Sequence, residues 1–140
     1  MEFVRCGHAI CSIDYVVYVF GGFDGSGVRT CEEFKNDSWR RLPDLEEPKE
    51  KCGCTKLRDM IYIAGYSSNK VEAYDHASDS IFDIGISLPH SNFNTIITND
   101  GSMKLILFQG SNCTEVNLEK GETGKYCDLE STVSSLWWTP

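Results

Sequence analysis

Three strand-like segments that each end on glycine constrain this 140-residue chain more than any other feature. The first, from Tyr15 to Gly25 (YVVYVFGGFDG), begins with six β-branched or aromatic residues, which favour a strand, and glycines then end it. The segments from Met60 to Gly65 and from Lys104 to Gly110 repeat this pattern. The closing glycines are 43 and 45 residues apart: Gly22, Gly65 and Gly110. Such a regular spacing indicates a repeat architecture.

Two further landmarks recur with a similar period. Phe34 and Tyr74 are 40 residues apart, and Val116 is a looser third member. The bulky residues Trp39, Phe82 and Tyr126 are 43 and 44 residues apart. Within each period, four short alternating stretches are separated by turn signals, which is typical of an all-β protein. The predicted strands are 8–13, 15–20, 30–34 and 38–42 in the first unit, 53–57, 60–64, 70–74 and 80–84 in the second, and 94–98, 104–108, 113–117 and 124–129 in the third.

The order of the landmarks in the first unit resembles the kelch repeat. That unit has Gly21-Gly22 at the end of its second strand, then Phe34, then Trp39. The second unit departs from the pattern with Ala64 for the first glycine and Phe82 for the tryptophan. The third unit departs further, with Gln109-Gly110 and Tyr126. The WD40 repeat is a poorer match, because its Gly-His…Trp-Asp signature is absent.

The resemblance implies an all-β fold of kelch-type β-propeller blades, each a four-stranded antiparallel sheet. We expect about three blades, at approximately 5–45, 50–88 and 92–129, with a tail over 130–140, in a single segment. We also expect the aromatic landmarks to be buried where blade stacks on blade. Three blades make an incomplete propeller, because propellers typically have four to eight. The chain is then a fragment of a longer propeller, or copies associate to close the ring, or the segment is marginally stable.

Composition excludes some classes of partner. The formal charge of −8 and the pI of about 4.8 argue against nucleic acid and anionic membranes as partners. They say little about protein partners, except that a basic segment would be attracted more readily than an acidic one. The N-terminus shows no targeting pattern, and no apolar run is long enough to span a membrane. The seven cysteines are an odd number, which favours reduced thiols and a cytoplasmic, intracellular location.

The sequence offers no catalytic constellation and no cofactor-binding motif. Its histidines, His8, His76 and His90, are far apart, and no serine or cysteine lies in a nucleophile motif. Cys52-x-Cys54 is the nearest approach to a metal signal, but structural zinc usually takes wider pairs, so core packing is the favoured interpretation. We therefore expect no enzyme activity, no cofactor and no metal.

The remaining candidate is a surface of loops. In kelch-like propellers, the loops between the second and third strands and those between blades emerge on one face, and here they are 23–29, 66–69, 109–112, 44–51 and 89–93. The side chains that we expect to bind a partner are Phe23, Arg29, Tyr66 and Asn69, because aromatic and arginine residues dominate interface hot spots. The alternative is that these are ordinary solvated loops.

The resemblance implies a non-catalytic protein–protein interaction module, as substrate adaptor or scaffold. The alternative is a fragment of a propeller enzyme or carbohydrate-binding propeller whose active residues lie in other blades.

Overall fold

Twelve strands and no helices make up the part of the chain that the computed structural model describes, residues 1–91 and 94–128. The predicted tail over 130–140 lies outside these residues. The strands are β1 (Ala9–Ile13), β2 (Val16–Phe20), β3 (Cys31–Lys35), β4 (Ser38–Leu42), β5 (Glu50–Leu57), β6 (Met60–Tyr66), β7 (Lys70–Asp75), β8 (Ser80–Ser87), β9 (Thr95–Asn99), β10 (Lys104–Gln109), β11 (Asn112–Asn117) and β12 (Glu122–Asp128).

The strands form three four-stranded antiparallel sheets, each built from four consecutive strands. The orders are β1-β2-β3-β4 in the first sheet, β5-β6-β7-β8 in the second and β9-β10-β11-β12 in the third. The predicted all-β fold of three up-and-down sheets is therefore confirmed. The three sheets do not close a ring.

Two-residue turns with positive φ set the register of the first sheet. Asp14 and Tyr15 have φ of 48° and 66°, so that Ile13 pairs with Val16. Turns of this left-handed kind match the twist of the flanking strands. The prediction that β2 begins at Tyr15 is wrong, because this residue lies in the turn and its side chain is fully exposed.

The sheets stack face to face through two apolar clusters. The first seam lies between the first and second sheets and includes Tyr18, Phe20, Ile61, Ile63 and Tyr74, all nearly or fully buried. The rings of Tyr18 and Phe20 lie 5.7 Å and 5.8 Å from that of Tyr74. The second seam lies between the second and third sheets and contains the following buried residues: Leu57, Tyr62, Ala64, Val71, Ala73, Ile86, Leu88, Ile97, Leu105, Leu107 and Val116.

Contacts between sheets are concentrated on their first strands. Strand β1 lies against β5, and β5 lies against β9. Each sheet therefore has an inner edge close to its neighbour and an outer edge, formed by β4, β8 or β12, that is more open. This is the arrangement of successive propeller blades.

The expectation that all aromatic landmarks are buried is wrong for the outer strands. Trp39, Phe82 and Tyr126 are 38%, 39% and 48% exposed, whereas Tyr74, on the third strand of the second sheet, is 1% exposed. The alignment of Trp39 with Phe82 is also wrong. Trp39 pairs with Phe34, but Ile81 pairs with Tyr74 and packs on the first seam. The turn between β7 and β8 is two residues longer than that between β3 and β4, and this shifts the register.

The second sheet begins earlier than the sequence indicates. The charged stretch 44–51 was expected to be a loop, but Glu50 and Lys51 belong to β5. Lys51 has a φ of 47°, and the pairing with β6 shifts between Glu50 and Gly53, so a bulge lies at this point. A bulge lets a polar segment enter the sheet while strand pairing continues beyond it.

Candidate binding face

The loops after β2 and β6 begin at or just after glycines. At these glycines the backbone lies close to the segment that leads into the same sheet or forms its first strand. A Cβ on Gly22 would lie 2.9 Å from the carbonyl oxygen of Cys6, and a Cβ on Gly65 would lie 2.6 Å from the Cβ of Cys52. Real Cβ atoms do not approach so closely, and Gly22 also has a φ of 113°. These two landmark glycines therefore have the same structural role.

The connection between the first two sheets, residues 43–49, is joined to the β2–β3 loop by backbone hydrogen bonds. The Gly22 N–H donates to the Lys49 carbonyl oxygen at 2.7 Å, and the Leu45 N–H donates to the Arg29 carbonyl oxygen at 2.9 Å. The Lys49 N–H donates in turn to the Val28 carbonyl oxygen at 3.3 Å. The two loops therefore form one continuous surface at the glycine end of the sheets.

Phe23 and Arg29 are both exposed on this surface. Phe23 is 39% exposed although its backbone is fixed to Cys6 by a reciprocal pair of hydrogen bonds, 2.8 Å and 3.0 Å long. The Nε of Arg29 donates to the carbonyl oxygen of Leu45, and the residue is exposed. In both residues the backbone is held by hydrogen bonds while the side chain is exposed, as a preorganised contact requires.

Tyr66 and Asn69 flank the corresponding loop of the second sheet. Tyr66 is the last residue of β6 rather than a loop residue, and it is half-buried. The Lys51 ammonium lies 5.1 Å from the centre of its ring, within cation–π range. Asn69 is exposed, and its carbonyl oxygen accepts from the Leu88 N–H at 2.7 Å. The equivalent loop of the third sheet is shorter than expected and consists of 110–111.

A buried ion pair underlies the loops of the first sheet. The Arg5 Nη2 lies 2.7 Å from the Glu32 Oε2, and both side chains are almost fully buried. The Arg5 Nη1 donates to the carbonyl oxygens of Gly21, at 3.0 Å, and Thr30, at 2.5 Å. The arginine therefore holds together the two ends of the β2–β3 loop.

The second sheet has a corresponding ion pair. The Lys49 Nζ lies 2.9 Å from the Glu72 Oε2, with both side chains fully buried. It also donates to the Ser68 Oγ at 2.8 Å and to the Lys70 carbonyl oxygen at 3.1 Å. The Glu46 N–H donates to the Glu72 Oε1 at 2.6 Å. Lys49 thus fastens the connection 43–49 to the β6–β7 loop, and the two loop systems become one surface.

Exposed charges continue this surface around Lys70. Its ammonium lies 3.4 Å from Glu47 and 3.3 Å from Asp83. Hydrogen bonds with Asp83 and Glu47 raise the pKa of Lys70, and the hydrogen bond from Ser68 lowers the pKa of Glu47. These side chains are partly exposed to solvent, so the pairs add little to stability and mainly define the charge of the surface.

Sequence reasoning missed both buried ion pairs, although a signal was present. A glutamate stands two residues before the strand-three aromatic in both units, Glu32 before Phe34 and Glu72 before Tyr74. A basic residue also precedes the first strand of each of these two sheets, Arg5 before β1 and Lys49 before β5. Because the charged stretch 44–51 was interpreted as a linker loop, Lys49 was not recognised as a buried residue.

The other sequence candidates lie elsewhere. Cys52 is buried and donates to the carbonyl oxygen of Phe20 at 3.3 Å, as expected for a core thiol. Across residues 1–91 and 94–128, no three His, Cys, Asp or Glu side chains are grouped to hold a metal ion. The same residues contain no helix that is long and apolar enough to cross a membrane.

Comparison with known proteins agrees with this geometry. The sequence profile of the Kelch motif matches residues 5–46, which include the whole first sheet. An F-box/kelch-repeat protein of Arabidopsis thaliana is 34% identical over 74 residues, which are 50% of this chain and 20% of that protein. Kelch repeat and BTB domain-containing protein 2 of cowpox virus (strain Brighton Red) is 35% identical over 81 residues, 55% of this chain and 14% of the viral protein.

The fold and the glycine-based loops define a stack of β-propeller blades. The first of these sheets matches the Kelch motif, and over about half of its length the chain is similar to kelch-repeat proteins. The chain spans a fifth or less of the length of these relatives.

Proposed function

We propose that this chain is a protein-interaction module that binds its partner through the loop face containing Phe23, Arg29, Tyr66 and Asn69. The observation that carries the proposal is the linkage of the two loop systems through Lys49, which fixes them before any partner arrives. Surfaces that are ordered in advance lose less conformational entropy on binding. Aromatic and arginine side chains on such a surface are the residue types that contribute most to binding energy.

The relatives support a non-catalytic adaptor or scaffold role within this proposal. Their names combine kelch repeats with an F-box or a BTB domain. Within this proposal, the blades of this chain contact the partner, and a second domain of that kind would make a different connection. Additional blades, supplied by further chain or by another copy, would complete the propeller around the same face. The net charge of −8 favours a partner segment that is basic.

A comparative pull-down tests the loop face. The double variant Phe23→Ala and Tyr66→Ala should lose the partners that the unmodified chain retains, with an affinity loss of about 30-fold or more if either residue is a hot spot. Phe82→Ala is the matched control, because Phe82 is also 39% exposed but lies on an outer strand. Far-UV circular dichroism should show that all variants are folded.

The outcomes separate the interpretations. Loss of partners with Phe23→Ala and Tyr66→Ala, but not with Phe82→Ala, supports the loop face. Equal retention by both variants would place the binding site elsewhere on the chain. Loss with Phe82→Ala alone would transfer the site to the outer strands.

A further inference from the structure

The first seam contains an unusual concentration of thiols. Four cysteines face it from the first two sheets: Cys11, Cys31, Cys52 and Cys54. Two of these are buried and donate hydrogen bonds to carbonyl oxygens. Cys31 donates to the carbonyl oxygen of Arg29, and Cys52 donates to that of Phe20. Burial raises the pKa of Cys31 to about 12 and that of Cys52 to about 11. These two thiols therefore remain protonated and unreactive.

Cys11 and Cys54 differ from them in position. Cys11 lies in β1 and Cys54 in β5, the two first strands that contact each other across the seam. Both side chains are half-buried, so small oxidants in solvent can reach them. The two thiols are close enough to influence each other's pKa. The pair is thus formed by adjacent blades rather than by one strand.

The surroundings assign different roles to the two sulfurs. The hydrogen bond from Cys54 lowers the pKa of Cys11 against the opposing effect of burial, and the nearby Lys56 ammonium lowers it further. The same hydrogen bond, followed by burial, raises the pKa of Cys54. Tyr18, which pairs with Cys11 across the hairpin, is the other titratable group facing it. A thiol of lowered pKa beside a thiol of raised pKa is the arrangement of an attacking and a resolving cysteine.

We propose that Cys11 and Cys54 form a reversible disulfide that joins the first two blades when the chain meets a hydroperoxide. With hydrogen peroxide, the Cys11 sulfur attacks as its thiolate on one peroxide oxygen, so that an S–O bond forms, the O–O bond breaks and the leaving hydroxide takes a proton to become water. The Cys54 thiol then displaces the hydroxyl group of the resulting sulfenic acid as a second water. Two thiols are oxidised by two electrons and one hydroperoxide is reduced. A dithiol such as thioredoxin reverses the step.

The disulfide would change the mechanical properties of the first seam. It closes a loop from residue 11 to residue 54, which includes the whole β2–β3 loop and the connection 43–49. A cross-link of this span reduces the entropy of the unfolded chain and should raise the midpoint of thermal unfolding by on the order of 10 °C. It also prevents the first two sheets from separating, while the second seam remains free to open.

Peptide mapping under non-reducing conditions tests the proposal directly. The full chain is treated with hydrogen peroxide, alkylated and digested with trypsin, and the expected product joins peptide 6–29 to peptide 52–56. Because these peptides also contain Cys6 and Cys52, the experiment is repeated in Cys6→Ser and Cys52→Ser chains, where the cross-link should persist. In Cys11→Ser and Cys54→Ser chains the joined peptides should disappear.

Two further measurements make the result decisive. The oxidised chain should unfold at a higher temperature than the reduced chain, and a reducing dithiol should abolish the difference. Treatment in concentrated urea should yield mixed pairings, which would show that the native pairing depends on the fold. The proposal is overturned if native Cys11 is oxidised to sulfinic acid without joining Cys54, or if the joined peptides survive Cys11→Ser or Cys54→Ser.

Discussion

Replacing Lys49 by methionine should destabilise the protein strongly, because it leaves the Glu72 carboxylate buried without its counter-charge. Both side chains have no exposed surface, and their charged atoms are 2.9 Å apart. Breaking a buried pair by removing one partner costs about 3–5 kcal/mol. This is a large part of the roughly 5–15 kcal/mol of stability of an ordinary domain, and it lowers the folding equilibrium constant at least a hundred-fold, by about 1.4 kcal/mol per factor of ten.

Urea denaturation followed by far-UV circular dichroism measures this loss. The double variant Lys49→Met and Glu72→Met should be more stable than Lys49→Met alone, because it removes both buried charges. Part of the loss should remain, since the Glu46 N–H loses its acceptor. Arg40→Met is the exposed control, because its pair with Asp79 is solvent-exposed and contributes at most about 1 kcal/mol. The reasoning is refuted if Lys49→Met costs no more than Arg40→Met.

Two further predictions concern stability. Gly22→Ala should lower the free energy of unfolding by about 1–3 kcal/mol, because Gly22 has a φ of 113° and an added Cβ would meet the Cys6 carbonyl oxygen. In the control Gly124→Ala the added Cβ meets nothing within 4 Å, so the free energy of unfolding should change by less than about 0.5 kcal/mol. Equal effects of the two substitutions in urea titrations would contradict this prediction. Burial raises the pKa of Cys31 from 9.0 to about 12, so the stability that its protonated thiol contributes is complete below pH 9 and is lost as the pH rises from 9 towards 12. Cys31→Ala should therefore reduce the alkaline decline in the free energy of unfolding, by up to about 1.4 kcal/mol per pH unit, and parallel declines in the two proteins would show that the thiol is not responsible.

The repeat was predictable from sequence because its landmarks serve the local geometry of each sheet. Gly22 and Gly65 stand where the backbone approaches the sheet entry, and no other residue fits there. Alternation of apolar and polar residues located all twelve strands to within a few residues. These features depend on neighbours along the chain, and a single sequence contains that information.

The features that sequence reasoning missed depend on contacts between distant segments. The third-strand aromatic residue pairs with Trp39 in the first sheet but with Ile81 in the second. The cause is the longer turn between β7 and β8, and an average repeat period does not reveal the length of a single turn. Lys49 appears as a solvated linker residue until the β6–β7 loop is placed against it. The four expected binding residues, by contrast, stay a prediction, since their role depends on a partner as well as on the fold.

The position of each ion pair also bears on how the chain can fold while it is being synthesised. Arg5 finds its counter-charge 27 residues later, in its own sheet, and Lys49 finds Glu72 only 23 residues later. Each of the first two blades therefore neutralises its buried cation as soon as its third strand has emerged, without waiting for the next blade. Folding can advance one blade at a time from the N-terminus, and each completed blade offers the next a surface whose charges are already paired.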